Sequence, residues 1–262
     1  MATGMELLVL GAGPAYSDIP GSCGASYLVR AGGPGGDAVL LDLGQGAFPA
    51  LINALEPSTL RAVVISHLHP DHFVDLIPLR HYLRRAEHGA GLRARVIAPP
   101  GLDERLDGAY ATPGFAAAAF DLEAGEDGPI PAGGFELRSV RVTHAGESRA
   151  WRVALAGSAA PGLVYSGDAS SVDELTALVR PGDTILSEAS HGPDPVPAGM
   201  NHLNSAMVGE LAVRTRAGAV IATHIRMGTD LDATVHAIRA IYPGPVGLAR
   251  PGARFAIPGP PP

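Results

Sequence analysis

The chain has 262 residues, 46% of them hydrophobic, enough to bury a substantial core in one α/β domain. Its formal net charge of −7, with every basic residue an arginine, argues against a polyanion-binding surface, because nucleic-acid binders carry a basic stripe. The one cysteine, Cys23, excludes an internal disulfide framework and a cysteine-built zinc finger, and has no basic neighbour to make it a reactive thiolate. In chain order, Glu6 to Leu10 reads as a first strand ending in Gly11-Ala12-Gly13. These glycines imitate a dinucleotide fingerprint, but Tyr16 stands where the third glycine belongs and no acidic residue follows at the right interval. No organic cofactor is therefore expected. A Gly- and Ser-rich turn (18–24) leads to a strand from Ala25 to Val29. Gly32-Gly33-Pro34-Gly35-Gly36 then makes a hairpin connection to a strand from Ala38 to Leu41, which is followed by Asp42-Leu43-Gly44. Ala47 to Leu55 suits a helix, and Arg61 to Ile65 is a short β-branched run that reads as a buried strand.

That strand delivers Ser66-His67-Leu68-His69-Pro70-Asp71-His72, three imidazoles and a carboxylate within six consecutive positions. From Phe73 onward the pattern is helical, with Phe73, Leu76, Ile77, Leu79 and Leu83 inward, so the histidines occupy a strand-to-helix turn on a rigid scaffold. Imidazole and carboxylate together suit divalent cations. His67 and His69 alternate as strand residues do, whereas Asp71 and His72 follow the redirection at Pro70 and can face a second ion.

Further on, Arg93 to Ala98 reads as a strand, Leu102 to Ala119 as helix broken near Pro113, and Glu123 to Gly134 as an aperiodic connection between two half-domains. Phe135 to Thr143 alternates and ends at His144; Trp151 to Leu155 and Leu163 to Tyr165 continue the sheet, the latter reaching Asp168. Val172 to Val179 is a short helix, and Thr184 to Leu186 a strand running into Ser187-Glu188-Ala189-Ser190-His191. His202 opens a helix through Arg214, and Ala219 to Ala222 is a strand ending at His224. Asp232 to Ile241 is a last helix, and a small strand pair lies between Val246 and Ile257. The expected organisation is a single domain over 1–257, with a disordered tail at 258–262. Strand after strand ends in a ligand-type residue, and in open α/β sheets such ends share a crevice.

The His-x-His-x-Asp-His string resembles the signature of the metallo-β-lactamase fold hydrolases. The resemblance implies an α/β fold, an αββα sandwich of two mixed β-sheets flanked by helices. It implies two divalent metal ions, zinc first with manganese or iron as alternatives. Carried over by position, His67, His69 and His144 would hold one metal, and Asp71, His72 and His224 the other, with Asp168 bridging. Asp42 and Gly44 resemble the family's Asp-x-Gly, which braces the metal loop; an ordinary strand-end turn is the equal alternative. A metal-bridging hydroxide would attack the substrate, Asp71 would orient it, and acid would inactivate the enzyme by protonating the histidines.

Glu188-Ala189-Ser190 followed by His202 resembles the ribonuclease Z-like branch, in which such a histidine donates to phosphate or leaving group and Glu188 would support it. The tRNA-gripping arm of that branch has no room, since from His144 to Asp168 is only 24 positions. The closest resemblance is to bacterial cyclic-nucleotide phosphodiesterases of this fold. A lactonase or a sulfate or carboxylic esterase would use the same metals; a mononuclear iron oxygenase or a non-catalytic binding module would not need seven ligands. The expected partner is a small anionic ester, with no nucleic acid polymer. A homodimer across the helical faces stays open. No charged-then-apolar leader and no spanning-length apolar run is present, so a cytoplasmic location with no membrane partner is the expectation.

Among weaker candidates, His81, His88 and the Arg80/Arg84/Arg85 cluster read as a solvated face that could meet an anion. His191 reads as a minor candidate for the pocket rim and His236 as a surface residue; Arg226, Met227, Tyr16 and Ser22 could reach the site, and Cys23 reads as a small buried residue.

Overall fold

The computed structural model describes residues 4–32, 35–85 and 91–257. In its first half these form β1 (Met5–Gly11), β2 (Ser26–Ala31), β3 (Ala38–Leu41), α1 (Phe48–Ala54), β4 (Ala62–Val64), α2 (Pro70–Phe73), α3 (Leu76–Leu83), β5 (Ala94–Ala98), α4 (Leu102–Tyr110) and β6 (Phe120–Ala124). The second half adds β7 (Ile130–Ala132), β8 (Phe135–Val142), β9 (Ser148–Leu155), β10 (Leu163–Tyr165), α5 (Val172–Thr176) and β11 (Thr184–Glu188). It continues with α6 (Ser205–Thr215), β12 (Ala219–Thr223), α7 (Leu231–Arg239), β13 (Val246–Leu248) and β14 (Arg254–Ile257).

Two seven-stranded sheets result, in the orders β14-β1-β2-β3-β4-β5-β6 and β13-β12-β11-β10-β9-β8-β7. Both are mixed: β3 to β6 run parallel in the first and β10 to β13 in the second, with antiparallel strands beyond. The sheets face each other across a core that includes Tyr27, Val64, Leu137, Trp151 and Leu186. Outside the first sheet, α1, α3 and α4 bury Leu51, Leu79 and Leu106. Outside the second, α5, α6 and α7 bury Leu175, Leu211 and Ile238. Each such side chain contributes about 1.5–3 kcal/mol by leaving water. This is the αββα sandwich. The central strands are buried on both faces, which is why they read as continuous apolar runs rather than alternations.

Four elements differ from the reading of the sequence. The helix from Leu102 stops at Tyr110, where Ala111 turns left-handed (φ 51°) and the Asp107 carboxylate accepts from the amides of Gly114 and Ala116, folding the chain back. The stretch read as aperiodic holds the end of β6, which is exposed from Asp121 to Ala124 and so shows no apolar face, and all of β7, only three residues long with Pro131 outward; the passage from one sheet to the other falls between them. β13 and β14 do not pair: β13 joins β12 and β14 joins β1. The turn at 249–253 carries the chain between sheets through Ala249 N to Ala222 O, Gly252 N to Val9 O and Val9 N to Ala253 O. Finally, His202 does not open α6. Asn204 caps that helix by accepting from Met207 N, and His202 lies in an extended lead-in.

His88 and the tail at 258–262 lie outside the described residues. Among the described residues, no helix is long and apolar enough to cross a membrane.

Candidate metal centre

The turn after β4 is held from three sides. Leu43 N donates to His72 O, and Ala25 N to Asp71 O. Gly44 sits so close that a Cβ there would meet the Asp71 carbonyl oxygen at 1.9 Å, so only glycine lets the chain pass. Asp42 adopts a left-handed backbone (φ 57°), which aspartate tolerates better than most residues. Its buried carboxylate accepts from Ser66 N (2.7 Å), Ser66 Oγ (2.7 Å), Tyr165 Oη (2.6 Å) and His72 Nδ1 (2.7 Å). The Asp-x-Gly string thus has a physical account: the acid gathers donors beneath the histidine turn and the glycine permits close approach. Pro70 starts α2, where its missing amide proton costs nothing and its fixed φ suits the helix.

The structure brings His67, His69, His144 and Asp168 into one group, and Asp71, His72 and His224 into another beside it. His69 Nδ1 lies 3.0 Å from His67 Nε2 and 3.2 Å from His144 Nε2. In the second group, His224 Nε2 is 3.3 Å from His72 Nε2 and 3.2 Å from an Asp71 oxygen. Asp168 stands between: its Oδ2 is 3.6 Å from both His144 Nε2 and His72 Nε2 and 3.9 Å from His67 Nε2. His224 has a left-handed backbone (φ 53°), the second strained non-glycine residue at the site after Asp42.

In four of the five histidines the ring nitrogen turned away from the cluster has an acceptor. Nδ1 of His67 donates to Ser66 Oγ (3.1 Å), of His72 to Asp42, of His144 to Asn201 O (2.7 Å) and of His224 to Ser190 Oγ (3.1 Å). With protons fixed on Nδ1, the four Nε2 atoms bring lone pairs to the centre, an arrangement that shared cations relieve. Asp168 Oδ1 is buried without a hydrogen-bond partner, as a metal-binding oxygen would be. The donor set, imidazole with carboxylate and no thiolate, suits zinc, manganese or iron. The residues fit divalent metal.

The charges fit as well. Burial pushes the His67 pKa well down, favouring the neutral ligand form, with His72 and its other histidine neighbours adding to that. Burial opposes ionisation of Asp168, but His224 and His72 outweigh it and hold the carboxyl well below its ordinary range. His72 goes the other way: burial would lower it, but Asp168 and Asp42 raise it well above the usual imidazole value. The pocket's carboxylates call for positive charge at its centre.

Against the rim stands a second constellation. His202 Nδ1 donates to Glu188, at 3.0 Å from Oε1 and 3.1 Å from Oε2, and lies 3.8 Å from Asp168 Oδ2. Glu188 is fully buried and also accepts from Ala169 N (2.9 Å) and Ser190 Oγ (2.6 Å). Burial would lower the pKa of His202, but the hydrogen bond and charge of Glu188 leave it raised.

Family comparison decides what kind of site this is. A model described as the beta-lactamase superfamily domain matches residues 36–225. The chain belongs to that superfamily. With its His/Asp cluster it is a metallo-hydrolase. It is 32% identical to uncharacterized protein ML1173 of Mycobacterium leprae (strain TN) over 248 residues, 92% of this chain and 85% of that one. It is 24% identical to the probable metallo-hydrolase YhfI of Bacillus subtilis (strain 168) over 250 residues, covering 95% and 98% of the two chains. The crystal structure of YhfI superposes with a TM-score of 0.83 at 21% identity, covering 97% of this chain and 99% of that one. A diphosphatase of the PhnP family superposes at 0.73 and 21% identity, covering 96% and 97%.

Several weaker candidates resolve differently. His191 is buried rather than at a rim, and burial first, then Arg226, lowers its pKa. His81 packs its ring on Tyr110 and Phe115, Arg80 lies over Phe115 and Arg85 over Tyr82, so this face stacks on aromatics. His236, Arg226 and Met227 are exposed, and Tyr16 is 69% exposed on the early loop, where Ser22 lines a cavity. Cys23 is only half-buried; burial and then Asp75 raise its thiol pKa. Sequence reasoning gave no role to Ser190, Tyr165 or Asn201. Ser190 and Tyr165 sit in strings already noticed for their neighbours; Asn201 accepts from His144 through its backbone carbonyl and donates its side-chain amide to His144 O, a pairing that no motif announces.

Proposed function

We propose that the protein is a dinuclear-metal phosphodiesterase acting on a small anionic ester, a cyclic nucleotide being the substrate best suited to it. His67, His69 and His144 would hold one ion and Asp71, His72 and His224 the other, with Asp168 shared between them. Two such ions would supply an acidified water and polarise the phosphoryl oxygens. What carries the reading to phosphodiesters is the His202–Glu188 pair set against Asp168. Glu188 holds the ring through Nδ1, so Nε2 is the atom that can donate a proton to the leaving oxygen or a hydrogen bond to a charged phosphoryl oxygen. Asp71, bonded to His224, would orient the nucleophile. The net charge of −7 and the short interval from His144 to Asp168 favour a small substrate over a polymer, and the PhnP-family diphosphatase carries phosphoryl chemistry on the same fold.

The test is hydrolysis of 3′,5′-cyclic AMP by protein reconstituted with zinc or manganese, with a chelator control and a generic aryl phosphodiester alongside. Chelator-sensitive cleavage of the cyclic nucleotide is the expected result. Cleavage of neither diester by metal-loaded protein contradicts the proposal and transfers the site to carboxylic or sulfate esters.

A further inference from the structure

Beside His224 lies a cavity of about 290 Å³ between the early loop and the turn that carries the chain from β13 to β14. Ile19 and Pro20 line one wall; Ile225, Leu248 and Pro251 line others, with Arg250 among them. Both walls are fixed by backbone hydrogen bonds. The early loop is tied by Gly13 N to Cys23 O, Ser22 N to Ile19 O and His224 N to Ala12 O. The opposite turn is tied to Ala222 and Val9, as described above. Gly11 and Gly13, which imitate a nucleotide fingerprint, serve this packing instead. A Cβ at Gly11 would meet Gly24 O at 2.0 Å, and one at Gly13 would meet Ser22 Oγ at 2.4 Å.

Arg250 is exposed, and its guanidinium has no hydrogen-bond or ion-pair partner among the described residues. No carboxylate lines the cavity. A second groove, beyond His69, differs in this respect: Glu104 and Glu147 line it along with Arg105, so it repels an anion. Among the described residues, the cavity at His224 joins apolar walls to a guanidinium without a hydrogen-bond or ion-pair partner, which also borders a neighbouring groove lined by Asp232 and Arg239. Proline and aliphatic walls with a guanidinium suit a flat, neutral heterocycle, since guanidinium stacks on such rings.

We propose that this cavity is a base-binding subsite, in which Arg250 stacks on the planar heterocycle of a nucleotide whose phosphate lies at the metal centre. The inference deepens the phosphodiesterase reading and rests on it for the placement of the phosphate.

The experiment measures dissociation constants of adenosine 5′-monophosphate and ribose 5-phosphate, which lacks the base, on metal-loaded protein by calorimetry. Wild type should prefer the nucleotide about tenfold or more, the range expected for one stacked base. In Arg250→Ala and in Arg250→Lys, which keeps the charge but loses the plane, that preference should fall towards unity while ribose 5-phosphate binding changes little. Because Arg250 is exposed and unpartnered, both variants should fold. Equal affinities in wild type, or a preference untouched by both substitutions, overturns the subsite. Preference for the nucleotide with cleavage of neither cyclic AMP nor the aryl diester keeps the subsite and sinks the phosphodiesterase; cleavage without preference does the reverse.

Discussion

The metal centre has two walls of different construction. One is a single turn, Ser66 to His72, folded over Asp42 and gripped by the backbones of Ala25 and Leu43. The other is assembled from distant segments, with His144, Asp168, Glu188, His202 and His224 each at the end of a different strand or in a different loop. The local wall is over-determined, because its ligands share one brace. The assembled wall depends on the second sheet being correctly stacked; Glu188 and Ser190 link His202 and His224, Asn201 holds His144, and no common turn joins them. Four of the seven candidate ligands are thus set by one turn early in the chain, whereas His144, Asp168 and His224, with the His202–Glu188 pair, come from later elements.

The comparison can be broken most severely at the point where the walls meet. Asp168→Ala should abolish turnover and lower the bound metal, with the circular dichroism spectrum unchanged; persistence of full turnover would remove the shared carboxylate from the account. Breaking the local wall's brace comes next. Asp42→Ala leaves Ser66, Tyr165 and His72 donors buried without their acceptor, so denaturant unfolding should show a loss of about 3–5 kcal/mol. Metal affinity should fall about 10–100-fold in the same variant.

On the assembled wall, His202→Ala should lower kcat about 10²-fold with metal content intact. Metal loss there would make His202 a ligand, grouped with Asp168 and His224, rather than a proton donor. Smallest is Ser190→Ala. It removes the acceptor for His224 Nδ1 and one donor to Glu188, and should weaken metal binding about tenfold, read by competition with a chromophoric chelator. An unchanged affinity would mean that His224 holds its tautomer without Ser190.

The same contrast explains what the sequence made legible. The turn at 66–72 is readable because its chemistry is contiguous, and the strand-end residues His144, Asp168 and His224 because apolar runs deliver them one after another. Buried strands such as β3 and β10 show as unbroken apolar stretches with sharp ends. β6 gives no such signal because it is an edge strand whose outer residues are solvated, and two nearby short strands such as those in 246–257 suggest a hairpin, whereas here the turn at Pro251 bridges two sheets. His202 stands only two positions before the cap, and Asn204, whose side chain accepts from Met207 N, is what starts the helix. The hydrogen bond from His144 to the Asn201 carbonyl was illegible for a simpler reason: any residue at 201 could supply that acceptor.

The claim at the centre of this account is a site that holds two ions around Asp168. Elemental analysis of wild-type protein, reconstituted with zinc or manganese and dialysed free of excess metal, tests it most directly. Two metal ions per chain is the predicted result, and one or none would contradict it.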